Sequence, residues 1–359
     1  MFGLKVVIIG GSVAGLAAAI AFKRAKNKVV IREKNSIDAR PGLAFMIHSK
    51  TLKEIQSITD APFDITNKKI DKFILVNDFE DKQKKVDLTG WFALKRIELL
   101  KFFRSHLSDE EYRENSDFSH FKYKGDQAIA AVFKDGSIEY GDLFIGADGI
   151  NSQVRKSVCD SHFFPNDINE LVCIVKLKKP HTHDSTFRKF PINKGMSFGF
   201  IPISRDEHVW YLQFDRNLYG NLFQKEKGVV YEFSPQLLDE LPKEVREIIA
   251  QSDIQKAHLW INQELKLLSS YYKANVCLIG DAAHGSISLT SSGVSSGISS
   301  AIKLTQVLRE SGPLPSALEE YEKFRKKENA IKIAYAKILK SQFISSPSNI
   351  ENYSLPLFK

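Results

Sequence analysis

Three short apolar runs, Val6–Ile9, Leu143–Ala147 and Val276–Ile279, lie at the beginning, middle and end of the chain, and none alternates with polar residues. Such runs predict parallel strands buried on both faces. The first passes through Gly10-Gly11-Ser12-Val13-Ala14-Gly15 into an Ala-rich helix, Leu16–Ala25, and then a second strand, Lys28–Glu33, so the chain opens with a βαβ unit. From about Glu170 to Gln263 the pattern changes to alternation: Leu171–Lys176, Ser197–Ile203 and His208–Phe214 predict an antiparallel sheet, the last two strands joined by the polar Ser204–Glu207. Ala128–Phe133 and Ser137–Tyr140 flank Asp135-Gly136, a tight-hairpin signal. Helices are expected at Ser49–Ile58, Arg96–Leu107, Ser234–Ile249, Ser292–Leu308 and Ala317–Leu339, the last opened by Ser316 and Glu319 at capping-box spacing.

This order predicts an α/β protein: a Rossmann-like domain with a parallel sheet, a smaller antiparallel-sheet domain for substrate, and C-terminal helices. The first domain is discontinuous, over 1–68, 92–166 and 270–343; the second takes 69–91 and 167–269; 344–359, rich in Ser, Pro and Asn, reads as a flexible tail. The 359 residues, 43% hydrophobic and 26% charged, exclude collagen-like, low-complexity and disordered classes. No apolar run approaches the roughly 20 residues of a membrane span, and the N-terminus lacks a cleavable leader pattern, so a cytoplasmic protein is expected. The net charge of +8 is scattered and mostly Lys, with short clusters at Lys82–Lys85 and Lys323–Lys327. That favours encounter with anionic small molecules rather than nucleic acid. Cys159, Cys173 and Cys277 are odd in number and lack CxxC spacing, which argues against disulfides and a metal site.

The chemistry concentrates where apolar strands end. Gly10 permits a tight turn and Gly15 a close helix, and the helix N-terminus offers amides to a pyrophosphate; Ser12 replaces the middle glycine of GxGxxG. Glu33, 23 residues beyond Gly10, is placed for ribose hydroxyls, with Lys34 beside it. Asp142–Arg155 (DLFIGADGINSQVR) carries Asp148 and Gly149 to a second strand tip, with a helix starting near Asn151 or Ser152. Val276–His284 (VCLIGDAAH) carries Gly280 and Asp281 to a third, ahead of a helix-opening turn, Gly293-Val294-Ser295.

Together, GGSVAGL, DLFIGADGINSQVR and VCLIGDAAH resemble the class A flavoprotein monooxygenases, the p-hydroxybenzoate hydroxylase-like family, from Val6 to about Arg325. The resemblance implies FAD, with Glu33 on the adenosine ribose, Asp281 on the ribityl chain, and Asp148 and Gly149 supporting flavin and nicotinamide. Arg96 in ALKRIELL resembles the family's FAD-contacting arginine. It implies NAD(P)H as hydride donor and O2 as co-substrate, with hydroxylation of an electron-rich aromatic or polycyclic small molecule through a flavin C4a-hydroperoxide. The alternatives are another FAD-dependent oxidoreductase, a dehydrogenase or reductase, or a weakly active flavin binder. The chain departs from the family at Ser286-Ile287-Ser288, Ser295, Ser299 and Ser300, where Pro, Asn and acids are usual.

The middle sheet supplies an aromatic wall of Phe187, Phe190, Phe198, Phe200, Trp210, Tyr211 and Phe214. Phe198, Phe200, Trp210 and Phe214 are the candidate substrate contacts, though alternation alone does not say which face meets the pocket. No catalytic side chain is identified; His284 reads as structural. Monomer and homodimer are both compatible with the sequence.

Overall fold

The computed structural model describes residues 3–38, 44–66, 68–77, 82–161, 164–178, 185–220, 223–224, 232–264, 266–285 and 287–345. Ser286 and most of the expected tail, 346–359, lie outside the described residues.

The three apolar runs sit side by side. A six-stranded sheet has the order Tyr272–Lys273, Val276–Leu278, Leu143–Gly146, Lys5–Ile9, Lys28–Arg32, Tyr112–Arg113. All its pairs are parallel except the first. Register sets Ile9 beside Gly146 and Gly146 beside Leu278, so three strands end at one level. The helix Val13–Arg24 packs between this sheet and the long helix Gly293–Glu310, and its residues from Gly15 to Phe22 are buried. A helix apolar on every side suits a position with protein all around it.

A second sheet of eight strands has the order His258–Glu264, Phe164–Lys176, Glu207–Asp215, Met196–Pro202, Thr186–Asn193, Lys69–Asn77, Lys82–Lys95, Ala44–His48. One pair, Thr186–Asn193 with Lys69–Asn77, is parallel and the rest antiparallel. It has more strands than the first sheet, and it takes in Ala44–His48 and all of Lys82–Lys95, past the boundaries the sequence suggests. Phe118–Lys124, Gln127–Phe133 and Ile138–Tyr140 form a small third sheet whose last turn holds Gly136 at φ +83°.

Two helix expectations are corrected. The segment Ser234–Ile249 is two helices, Pro235–Glu240 and Lys243–Ala250, because Pro242 lacks an N–H and cannot continue the first. The last helix runs Leu314–Ile344 and begins ahead of the Ser316–Glu319 box; Pro315 occupies its first turn, where a missing N–H costs nothing. Among the described residues no helix is long and apolar enough to cross a membrane.

A Cβ on Gly15 would lie 1.9 Å from the Gly10 carbonyl oxygen, whereas one on Gly125, at φ +59°, meets nothing within 4 Å. Gly15→Ala should therefore lower the unfolding free energy by at least about 3 kcal/mol and Gly125→Ala by only about 1 kcal/mol. Urea denaturation measures both; equal losses would contradict the close approach.

Candidate functional site

Each of the three strand tips turns on a glycine. Gly10 has φ +107°, and a Cβ there would lie 2.3 Å from the Ala147 carbonyl oxygen on the neighbouring strand. Gly280 has φ +57°, and its Cβ would lie 2.7 Å from that of Ala14. A side chain at either position would push the tips apart.

Two helices begin at this junction, Val13–Arg24 after Ser12 and Gly293–Glu310 after Ser292, and neither serine caps its helix with its side chain. Their first amides are therefore available as donors, with the positive ends of two helix dipoles. Instead of capping, the Ser12 hydroxyl accepts from Arg96 Nη2 at 2.7 Å. A cavity of about 320 Å³ opens here, with Ser12, Val13, Ala14, Arg96, Gly149, Gly280, Asp281, Gly293 and Val294 on one side.

The two acids at strand tips have different surroundings. Asp281 faces the cavity and is open to its water, yet ringed by protein; this desolvation raises its pKa, and Arg96 partly counters it. Asp148 is turned inward: it accepts from Ser152 Oγ, from Gln153 N at 2.7 Å and from Val154 N at 3.2 Å, capping the short helix Val154–Val158. Burial raises its pKa against those bonds. Gly149, rather than Asp148, lines the cavity. Arg155 fastens this helix to the third tip by donating to the Ala282 carbonyl at 3.1 Å and to the Ile150 carbonyl at 2.9 Å.

Glu33 is buried and sits behind the glycine turn, accepting from Gly11 N at 2.6 Å and Asn35 N at 3.0 Å. Lys34 is exposed. Ser295 accepts from Thr51 Oγ1 at 3.1 Å and does not line the cavity.

The opposite side of the cavity is the eight-stranded sheet, contributing Val172, Phe187, Ile201, Val209, Tyr211, Gln213 and Glu170. The four aromatics expected to contact substrate are on the other face. Phe198, Phe200, Trp210 and Phe214, each at most 3% exposed, pack with Leu237, Val245 and Ile248 of the two short helices. Alternation along paired strands puts all four on that face, and their neighbours Ile201, Val209, Tyr211 and Gln213 on the cavity face. Gly199 makes room for this arrangement, since a Cβ there would lie 2.1 Å from the Tyr211 ring. Glu170 and Gln213 are not among the candidates the sequence offers; their signal is a polar residue bordering an apolar run on each strand, Leu171–Val175 after Glu170 and Val209–Leu212 before Gln213.

Away from the cavity, His284 is part of a buried polar cluster. Its Nε2 lies 2.8 Å from Ser300 Oγ, which accepts from Arg325 Nη1 at 3.2 Å, and Lys332 Nζ donates to Ser296 Oγ. Arg325 is fully buried and Lys332 is 7% exposed. Burial, then Lys332 and Arg325, push the His284 pKa well down, so the imidazole is neutral. Its role is to join the third strand tip to the last two helices.

Comparison with known proteins identifies the sequence pattern. A family described as "FAD binding domain" matches residues 3–330. Hispidin-3-hydroxylase of Neonothopanus nambi is 22% identical over 374 residues, covering 90% of this chain and 85% of its own. The aurachin C monooxygenase/isomerase of Stigmatella aurantiaca is 22% identical over 345 residues, with the same coverage of 90% and 85%. Klebsiella pneumoniae HpxO, solved with FAD and uric acid, superposes with a TM-score of 0.78 at 18% identity, over 93% of this chain and 87% of that one.

Burial and the neighbouring Arg325 lower the Lys332 pKa from 10.5 to about 8. Between those values the unfolded chain binds a proton the folded chain does not, so stability rises as pH climbs from about 8 to about 10.5. Below that window the buried charge costs about 3 kcal/mol. Lys332→Met should raise the urea midpoint near pH 7 and flatten its rise towards pH 10; a lower midpoint with the rise intact would contradict this.

Proposed function

The chain belongs to the FAD-binding-domain family and to the class A flavoprotein monooxygenases, and from that premise we propose that it hydroxylates a planar, electron-rich small molecule using FAD, NAD(P)H and O2. The observation that carries the reading is the union, in one cavity, of three glycine-turned strand tips, two uncapped helix N-termini and an apolar sheet wall. Anionic groups bind at such helix ends, and planar rings in such apolar cavities.

The residues present fit FAD. The amides of Val13 and Ala14, with Ser12 and Arg96, would hold the pyrophosphate. Glu33, held beside the glycine turn by bonds from Gly11 and Asn35, would hold the adenosine ribose. Asp281 would take ribityl hydroxyls, and the amides around Gly293 and Val294 the electron-rich edge of the ring system. Asp148 acts at one remove, by fixing the turn that presents Gly149.

When bound, FAD would accept a hydride from the nicotinamide donor and activate O2 for transfer of one oxygen atom. The chain's own contribution is to bind, orient and exclude water. Val172, Phe187, Ile201 and Val209 form an apolar wall opposite the strand tips, and Tyr211 packs over Gly199 to complete it. In this reading 1–68, 92–166 and 270–343 form the FAD-binding unit, with 69–91 and 167–269 as the substrate unit.

Asp281→Ala tests the assignment. The purified variant should lose its blue flavin absorbance and bind added FAD at least tenfold more weakly, while retaining its circular dichroism. Full flavin occupancy in that variant would remove Asp281 from the site. For the wild type, NAD(P)H consumption should accelerate with a substrate from a panel of phenols and fused-ring aromatics; flavin binding with no donor consumption under any condition would leave a binder rather than an oxygenase.

A further inference from the structure

Glu170 stands on the sheet wall of the cavity, directly opposite Gln213 on the neighbouring strand. One of its carboxylate oxygens is saturated: Oε2 accepts from Gln213 Nε2 at 2.7 Å and from Ser288 Oγ at 2.7 Å. Both donors are fixed by their own partners. Gln213 Oε1 faces the buried ammonium of Lys189 at 3.4 Å and the hydroxyl of Ser197 at 3.3 Å, which turns its amide N–H towards Glu170. Ser288 Oγ accepts from Asn262 Nδ2 at 3.1 Å, and Asn262 Oδ1 accepts from Ser288 N at 2.9 Å, so the Ser288 proton is left for Glu170.

The other oxygen, Oε1, accepts no hydrogen bond among the described residues. Five side chains, on four strands and the short turn Ser288–Thr290, thus fix the carboxylate through one oxygen at the largely apolar wall of the cavity. Such an arrangement is a polar anchor, because an acceptor left bare in a filled cavity costs more than tenfold in affinity. Burial raises the Glu170 pKa and Ser288, Gln213 and Lys189 oppose it; in the ionised form the charge is part of the selection. Arg96, the cation of the lining, is engaged with Ser12 at the glycine turn, so an anionic ligand group next to the sheet wall would meet Glu170.

We infer that Glu170 sets substrate class: Oε1 accepts a hydrogen bond from a hydroxyl or ring N–H of an uncharged planar aromatic, and the site rejects aromatic carboxylates. This rests on the reading of the cavity as the substrate site, and it adds a selection rule that the reading does not contain.

The test uses three probes of one shape: 2-naphthol, which donates; 2-methoxynaphthalene, which does not; and 2-naphthoate, which is anionic. Isothermal calorimetry near pH 8 on the flavin-loaded protein should give 2-naphthol at least tenfold tighter than either of the others. Glu170→Gln should reverse the order. Its amide oxygen takes the place of Oε2, keeping the bonds from Gln213 and Ser288, and its NH2 replaces the acceptor with a donor. Binding of 2-naphthol should fall about tenfold and that of 2-naphthoate rise by a similar factor. Equal binding of all three probes by the wild type, or an unchanged order in the variant, overturns the inference and leaves the substrate-site reading standing. Binding of none overturns both. Calorimetry reads binding rather than turnover, so the same titrations on protein without flavin decide the point if FAD itself does not bind.

Discussion

The structure depends on close approach at the glycines where three parallel strands end. Gly10 lies against the Ala147 carbonyl, Gly15 against the Gly10 carbonyl, and Gly280 against Ala14, at distances that leave no room for a Cβ. Only with the tips this close can the amides at the starts of Val13–Arg24 and Gly293–Glu310 face one cavity. Ser12 and Ser292 leave those amides uncapped, a local cost in helix stability that is offset when an anionic ligand supplies the acceptors.

The eight-stranded sheet answers this junction with two different faces. One, holding Phe198, Trp210 and Phe214, is closed by the helices Pro235–Glu240 and Lys243–Ala250 and supplies rigidity. The other supplies the cavity wall, with the Glu170–Gln213–Ser288 network at its polar point. Ser288 follows the Asp281 helix in sequence, so the turn that leaves the third strand tip also fixes the sheet's carboxylate. In the proposed reading, Ser288 therefore ties the substrate side to the chain that leaves the cofactor side.

Much of this was legible in the sequence because burial on both faces leaves an unmistakable run such as Val6–Ile9, and because glycines at 10, 15 and 280 have no other reason to follow such runs. The choice of sheet face was not legible: when both faces are covered, alternation separates two apolar sets without saying which is covered by helices. Phe198, Phe200, Trp210 and Phe214 proved to be core, and the cavity wall held Phe187 and Tyr211 with the smaller Val172, Ile201 and Val209. Asp148 and Asp281 look equivalent in sequence, each at a strand tip after glycine or alanine. They diverge because a helix starts six residues after Asp148 and draws its carboxylate inward as a cap, while Asp281 opens its own helix facing the cavity. Ser299 and Ser300 leave Arg325 bonded to hydroxyls in a cluster that sequence spacing alone did not assemble.

We propose that one extended flavin nucleotide spans the three strand tips, and titration of purified, flavin-stripped protein with FAD, followed by flavin fluorescence, decides it. Saturable binding of one FAD per chain is expected, with FMN, which lacks the adenosine half that Glu33 would hold, bound far more weakly. Failure to bind FAD, or equal binding of FAD and FMN, would contradict it.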